Sequence, residues 1–341
     1  MKALSASQTV WPALLRTRRL LFRPFGWAAF LKLGAVAVVT EGMLVSFRFT
    51  PSGAWIADAP DVDLSRLRAV PGFAVYAALA IVAAILLALL LYAIVTQLRF
   101  AFFHCVIHES RAIRAGWALY GAQAQRFLAA SLLVWLALLA LVMLAVAGLA
   151  VTVFVVFNAK TPEGKLDPGV FLLLFFPCVA IFVLAGVAAL AAQVVLHDFI
   201  LPHMAIENAT FREAWRAVRK RIGEDKETFF SYFILRIGLP LLAGVVLIAA
   251  GSLAGFAVFG ILGASAAGFN AMLDDATGAL GPFRIVLEFL FVLLGLACGA
   301  TLAATLGGPL AVFVRSMAIY FYGSRYKPLG DILEAPPTEG A

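Results

Sequence analysis

The sequence predicts an all-α polytopic membrane protein: six transmembrane helices arranged as three parallel repeats of a cytoplasmic amphipathic helix plus a two-span hairpin. Three observations point there. Of 341 residues, 63% are apolar and only 13% charged, whereas soluble domains carry about 45–50% and about 25%. The apolar residues fall in long uncharged blocks. Lysine and arginine gather between alternate blocks.

Five blocks carry the span count. Residues 71–98, 127–159, 168–196, 237–273 and 289–314 are free of charge or nearly so. Each exceeds the roughly 20 residues that cross about 30 Å of hydrocarbon at 1.5 Å per residue. The predicted spans are 25–47, 71–98, 128–157, 169–196, 233–259 and 286–314, with a glycine-rich exit after Phe259. The first is the weakest, since it holds Lys32 and Glu41. Lys32 can snorkel from the inner end, and Glu41 is expected at the outer end. The basic start followed by an apolar block reads as a retained first helix rather than a cleaved signal, because no small-residue cleavage site follows cleanly.

Orientation follows from charge. All 26 lysines and arginines except Arg48, Arg66, Arg68, Lys160, Lys165 and Arg284 fall on one side of this alternation. The positive-inside rule makes that side cytoplasmic. Both termini are then cytoplasmic, and the membrane is the inner (plasma) membrane. The net charge of +7 fits loops beside anionic lipid. Nucleic acid is excluded as a partner, since no basic stretch stands apart from an apolar block.

The cytoplasmic segments repeat. Glu109, Arg114 and Trp117 match Glu207, Arg212 and Trp215 at an offset of 98 residues. Ile113, Gly116, Trp117, Tyr120 and Ala124 match Phe211, Ala214, Trp215, Val218 and Ile222, both on one helical face. The N-terminus joins at an offset of 204, with Trp11 on Trp215, Arg16 on Lys220 and Leu31–Gly34 on Leu235–Gly238. The chain is then one integral membrane domain with repeats at about 5–98, 99–196 and 197–322 and a cytoplasmic tail at 323–341. A unit with two spans returns to its starting side, so its copies are parallel.

The helix from Phe211 to Ile222, opened by a Thr210/Glu213 capping box, carries the principal candidate site. Its apolar stripe holds Trp215, and Arg212, Arg216, Arg219, Lys220 and Arg221 cover the rest. Such a helix lies in the interface and meets anionic headgroups. Trp117 and Arg114 are the equivalent candidates in the second repeat.

Other motifs carry less. His104 and His108, at i and i+4, are weak metal candidates, with His197 and His203 as remote additions. Their order is not the His-Glu-x-x-His of zinc proteases. Asp58, Asp61 and Asp63 read as a solvated outer loop, as do Asp274 and Asp275. Cys105, Cys178 and Cys298 read as buried hydrophobes. Gly295, Gly299, Ala303 and Gly307, with Gly251 and Gly255, read as close-packing stripes. Pro177, Pro240 and Pro309 are expected to bend or end helices. Polar groups deep in the spans are few, which argues against a proton-coupled pump.

Three segments carry a resemblance: 18–25 (RRLLFRPF), 197–205 (HDFILPHMA) and 320–326 (YFYGSRY). They resemble a group of uncharacterised bacterial six-span membrane proteins, similar to the membrane domain that accompanies some glycerophosphodiester phosphodiesterases. The resemblance implies six spans with cytoplasmic ends and no activity, because the soluble catalytic domain of those enzymes is missing. No catalytic residue and no cofactor is implied.

The expected function is a non-enzymatic scaffold or an envelope and lipid-homeostasis module that contacts anionic lipid, with a membrane-protein partner or a second copy as further partners. A transporter or flippase with a groove between the hairpins is the alternative. An intramembrane metal enzyme using His104 and His108 is the third.

Overall fold

The computed structural model describes residues 3–42, 73–158, 168–274 and 281–334. Every regular element among them is helical. A 3-10 turn, Ser7–Thr9, leads into α1 (Val10–Phe22) and α2 (Trp27–Thr40); α3 (Phe73–Ile107) and α4 (Ile113–Leu119) follow. Then come α5 (Gly121–Asn158), α6 (Pro168–Val194), a π-helix (Val195–Ile200), α7 (Leu201–Ile206), α8 (Phe211–Glu224), α9 (Lys226–Asp274), α10 (Gly281–Gly323) and α11 (Lys327–Glu334). The chain forms two compact units: Met1–Tyr120 with Ile234–Ala341, and Gly121–Phe233.

Among the described residues, five helices are long and apolar enough to cross a membrane. Their shafts invert the rule for soluble proteins. Leu242, Leu253 and Phe256 on α9 are 75%, 76% and 73% exposed, and Leu79, Ile85 and Leu90 on α3 are also exposed. Exposed leucine and phenylalanine over twenty residues is at home only in hydrocarbon, which marks a membrane protein.

The helix ends depart from the sequence reading. Span 71–98 extends to Ile107, because residues 100–107 form a phenylalanine-rich turn that is buried apart from His104. Span 233–259 lies within a 49-residue helix; the glycines after Phe259 neither break it nor open an exit. Pro177, Pro240 and Pro309 all sit inside helices and end none of them. In span 25–47 the described helix is the 14-residue α2, about 21 Å long at 1.5 Å per residue, short of the roughly 30 Å of hydrocarbon. Residues 43–47 lie outside the described residues, as do the Asp58, Asp61 and Asp63 loop and Asp275.

In the first unit, α1 and α2 pack along the carboxyl-terminal ends of α3 and α10. The backbone N–H of Leu4 donates to Ser324 Oγ (3.2 Å), and Arg325 donates to the Leu4 carbonyl (2.8 Å). The chain start therefore adjoins the end of α10. Exposed Phe22, Phe25 and Trp27 cluster at the α1–α2 turn, with Phe25 and Trp27 ring centroids 5.1 Å apart. Such an aromatic cluster suits headgroup level.

The α2–α10 crossing is a close contact in this unit for which small residues are needed. A Cβ on Gly34 would meet the Ala304 carbonyl oxygen at 2.7 Å, and one on Gly308 would meet Gly34 Cα at 2.6 Å. Gly308, next to the stripe residue Gly307, makes this approach. Gly295 and Gly299 face the Phe259 ring instead. Gly308→Val is expected to force the two backbones apart at a cost of about 1–3 kcal/mol, read as a lower thermal midpoint in detergent. Gly244→Ala, where nothing lies within 4 Å, leaves the midpoint unchanged. A wild-type midpoint for Gly308→Val would contradict the crossing.

In the second unit, α5 and α6 pack side by side, with Gly148 against Cys178 Sγ. The π-helix turns the end of α6 into a buried segment comprising Leu196 to Ile200. Its Asp198 accepts a hydrogen bond from Tyr232 Oη (2.8 Å). The three cysteines are free thiols, Cys105 buried and the other two partly so.

Candidate functional site

Helix α8 belongs to the second unit and begins with the predicted capping box. The Glu213 N–H donates to Thr210 Oγ1 (3.4 Å), and the Thr210 N–H donates to Glu213 Oε2 (2.8 Å). These Thr210 bonds, backbone first, hold the exposed Glu213 carboxyl below the usual carboxylate range. The helix is therefore set from its first turn. Ala214 and Val218 are fully buried, and Phe211 and Ile222 half-buried. Arg212, Arg216, Arg219 and Lys220 point outward, all exposed. Trp215, expected on the apolar stripe, is 45% exposed: it sits at the edge of that stripe, beside the basic face.

Arg221 behaves differently. It turns inward and its Nη1 donates to His203 Nε2 (3.1 Å). An accepting Nε2 leaves the proton on Nδ1, which then donates to Glu207 Oε2 (3.0 Å). His203 is thus fixed as one tautomer between a cation and a carboxylate, and Arg221 anchors the helix rather than joining its outward face.

In the first unit, Ile113, Gly116 and Tyr120 of α4 and its end are buried. Arg114 is exposed and Trp117 half-buried, with the Trp117 carbonyl accepting from Gln97 Nε2 (3.1 Å). The N-terminal match is looser. Trp11, like Trp215, is exposed, but Arg16 is 3% exposed where its counterpart Lys220 is exposed. Gly34 is tightly packed where Gly238 has nothing within 4 Å.

His104 and His108 are in ring contact, centroids 4.5 Å apart and planes tilted by 52°. Burial and then the charge of Arg16 hold the His108 imidazole below its ordinary range, which favours its neutral form. Among the described residues no three histidine, cysteine or carboxylate side chains gather as a metal site.

Two charged centres escaped the sequence reading. Arg16 Nε and Nη2 donate to the Val106 and Ile107 carbonyls (both 2.7 Å), and Nη1 donates to Tyr320 Oη (3.1 Å). Glu109 lies 3.8 Å from Arg16 and 3.3 Å from Arg19. Second, Arg236 Nη2 donates to Glu41 Oε2 at 2.7 Å, with side chains 14% and 7% exposed. Arg99 Nε donates to the Thr40 carbonyl at 3.0 Å. The sequence reading places Glu41 at the outer end of a span and Arg99 and Arg236 on the cytoplasmic side. The structure brings the three together, so α2 does not carry Glu41 away from them. The available signal was the acid itself: a lone glutamate at the end of an apolar helix requires a cation.

Comparison with known proteins adds one finding. Residues 4–332 match the model of a family described as "Family of unknown function (DUF7544)". No curated protein and no solved structure matches.

Proposed function

We propose that this chain, which belongs to the family of unknown function DUF7544, is a non-enzymatic membrane module that holds anionic phospholipid headgroups on α8. The observation that carries the reading is the two-sided burial of that helix. Ala214 and Val218 lock it to the second unit while Arg212, Arg216, Arg219 and Lys220 stay outward beside an exposed Trp215. An amphipathic helix with a basic face and an interfacial tryptophan binds anionic leaflets. In this reading the module belongs to the inner membrane and serves envelope or lipid homeostasis. Its segments 18–25, 197–205 and 320–326 liken it to the membrane domain beside some glycerophosphodiester phosphodiesterases. Six crossings with both ends cytoplasmic belong to the same reading. Their support is that Leu4 bonds to Ser324 and Arg325 at the end of α10, a closeness that an even count accommodates. The matched buried stripes of α4 and α8 support the repeat.

The test is native mass spectrometry of the full-length protein in detergent, with phosphatidylglycerol added. Each interfacial basic residue contributes about 1 kcal/mol. Arg216→Gln with Arg219→Gln and Lys220→Gln is therefore expected to lower retained phosphatidylglycerol at least tenfold at low salt. Phosphatidylcholine adducts stay as they were. Unchanged phosphatidylglycerol retention overturns the reading.

A further inference from the structure

The second unit contains a groove of about 580 Å³, within the roughly 300–1,000 Å³ of ligand pockets. One wall is a stripe of α6 and the π-helix, formed by Val187, Ala191, Val194 and Phe199. The other is the start of α9, chiefly Phe229 and Phe233, with Ile222 of α8 beside them. The π-helix contributes to its shape: inserting a wider turn after Val194 carries Phe199 round to continue the stripe while Asp198 turns to Tyr232. Such turns recur at functional sites.

The groove opens on the apolar shaft of α6, where Val183, Leu184, Val187 and Leu190 are exposed. In a bilayer that shaft faces acyl chains, so hydrocarbon has direct access. The only charged residues lining the groove are Lys226 and Glu227, neighbours in sequence, one cation and one anion. Both are exposed, as suits long side chains whose stems line an apolar wall while their charged heads seek water at its rim. A cation for a phosphate next to a carboxylate for an ammonium complements a zwitterionic headgroup. It does not complement a purely anionic one, because Glu227 opposes a second negative charge.

We infer that this groove holds one acyl chain of a zwitterionic aminophospholipid of the phosphatidylethanolamine class, its phosphate at Lys226 and its ammonium at Glu227. The site shares the second unit with the anionic face of α8 but differs in ligand, so it neither needs that reading nor follows from it.

The test adds phosphatidylethanolamine, phosphatidylcholine and phosphatidylglycerol of identical chains, and separately glycerophosphoethanolamine, to the full-length protein in detergent. Native mass spectrometry then counts copies that survive collisional activation. One phosphatidylethanolamine is expected to persist, held at least tenfold better than phosphatidylcholine, whose quaternary amine cannot donate to Glu227. The chainless headgroup is not held. Ala191→Phe fills the groove and removes that copy. Val187→Trp does the same from the half-exposed mouth, where a larger side chain leaves the core intact. Glu227→Gln abolishes the preference over phosphatidylcholine. Retention of the lipid in both filled variants overturns the inference while leaving the α8 reading intact. Loss in the filled variants, with no effect of the α8 substitutions on phosphatidylglycerol, upholds the groove and overturns the α8 reading. Equal retention of phosphatidylethanolamine and phosphatidylcholine, or retention of the chainless headgroup, also overturns the inference.

Discussion

Arg16→Leu is expected to destabilise the first unit by about 3–5 kcal/mol, the cost of stranding the partners of a buried charge. Arg16 is 3% exposed, and its guanidinium spends its donors on the Val106 and Ile107 carbonyls and on Tyr320 Oη. Those carbonyls belong to the last turn of α3, where a helix has no N–H of its own to offer. The positive charge also suits the negative end of the helix dipole. A leucine fills much of the volume but leaves two buried acceptors unmade and removes a cation from Glu109, which retains only the half-exposed Arg19. Lysine at this position keeps the charge but not the fork, so Arg16→Lys recovers only part of the loss. Arg18→Leu, on the exposed side of the same helix, serves as the control, since surface substitutions rarely exceed about 0.5 kcal/mol. Thermal melting in detergent, followed by helical circular dichroism, reads all three. A wild-type midpoint for Arg16→Leu would show that water replaces the guanidinium at no cost.

Arg16 also shows where the sequence stops being legible. Long apolar shafts are visible because hydropathy sums over twenty residues, and the buried faces of α4 and α8 are visible because helical periodicity sums over three turns. The capping box is visible because its partners are three residues apart. Arginine gives no such signal: counted along the chain, Arg16, Arg99 and Arg236 look like three more members of a positive-inside set. In the structure each reaches back into packed helix ends, to the Val106 and Thr40 carbonyls and to Glu41. A charge count assigns a residue to a side of the membrane, but the long side chain chooses its own depth and partner. The same limit applies to the groove, whose walls come from residues about 30 positions apart and whose shape depends on a π-turn that periodicity does not register.

Glu41→Leu is expected to cost about 3–5 kcal/mol as well, because it removes the carboxylate that Arg236 meets at 2.7 Å, where the arginine side chain is only 14% exposed. The environment sharpens the argument. Arg236 lies in a helix apolar enough to span the membrane, and an arginine in such a helix needs a partner or a route to water. Glu41 supplies the partner from the residue that ends α2, which also brings the Thr40 carbonyl to Arg99. Loss of Glu41 therefore loosens α2 from both α9 and α3. Two outcomes separate the pair's own contribution from the cost of leaving one member behind. Arg236→Met alone strands Glu41 and is expected to be as damaging as Glu41→Leu. The double variant, Glu41→Leu with Arg236→Met, strands neither and is expected to recover most of the stability, since an apolar pair of similar volume replaces a buried ion pair at little net cost. A double variant no more stable than the sum of the singles would mean that the two side chains do not act as a pair. Full recovery would show that the charges of the pair add no more stability than an apolar contact between α2 and α9 in the same place.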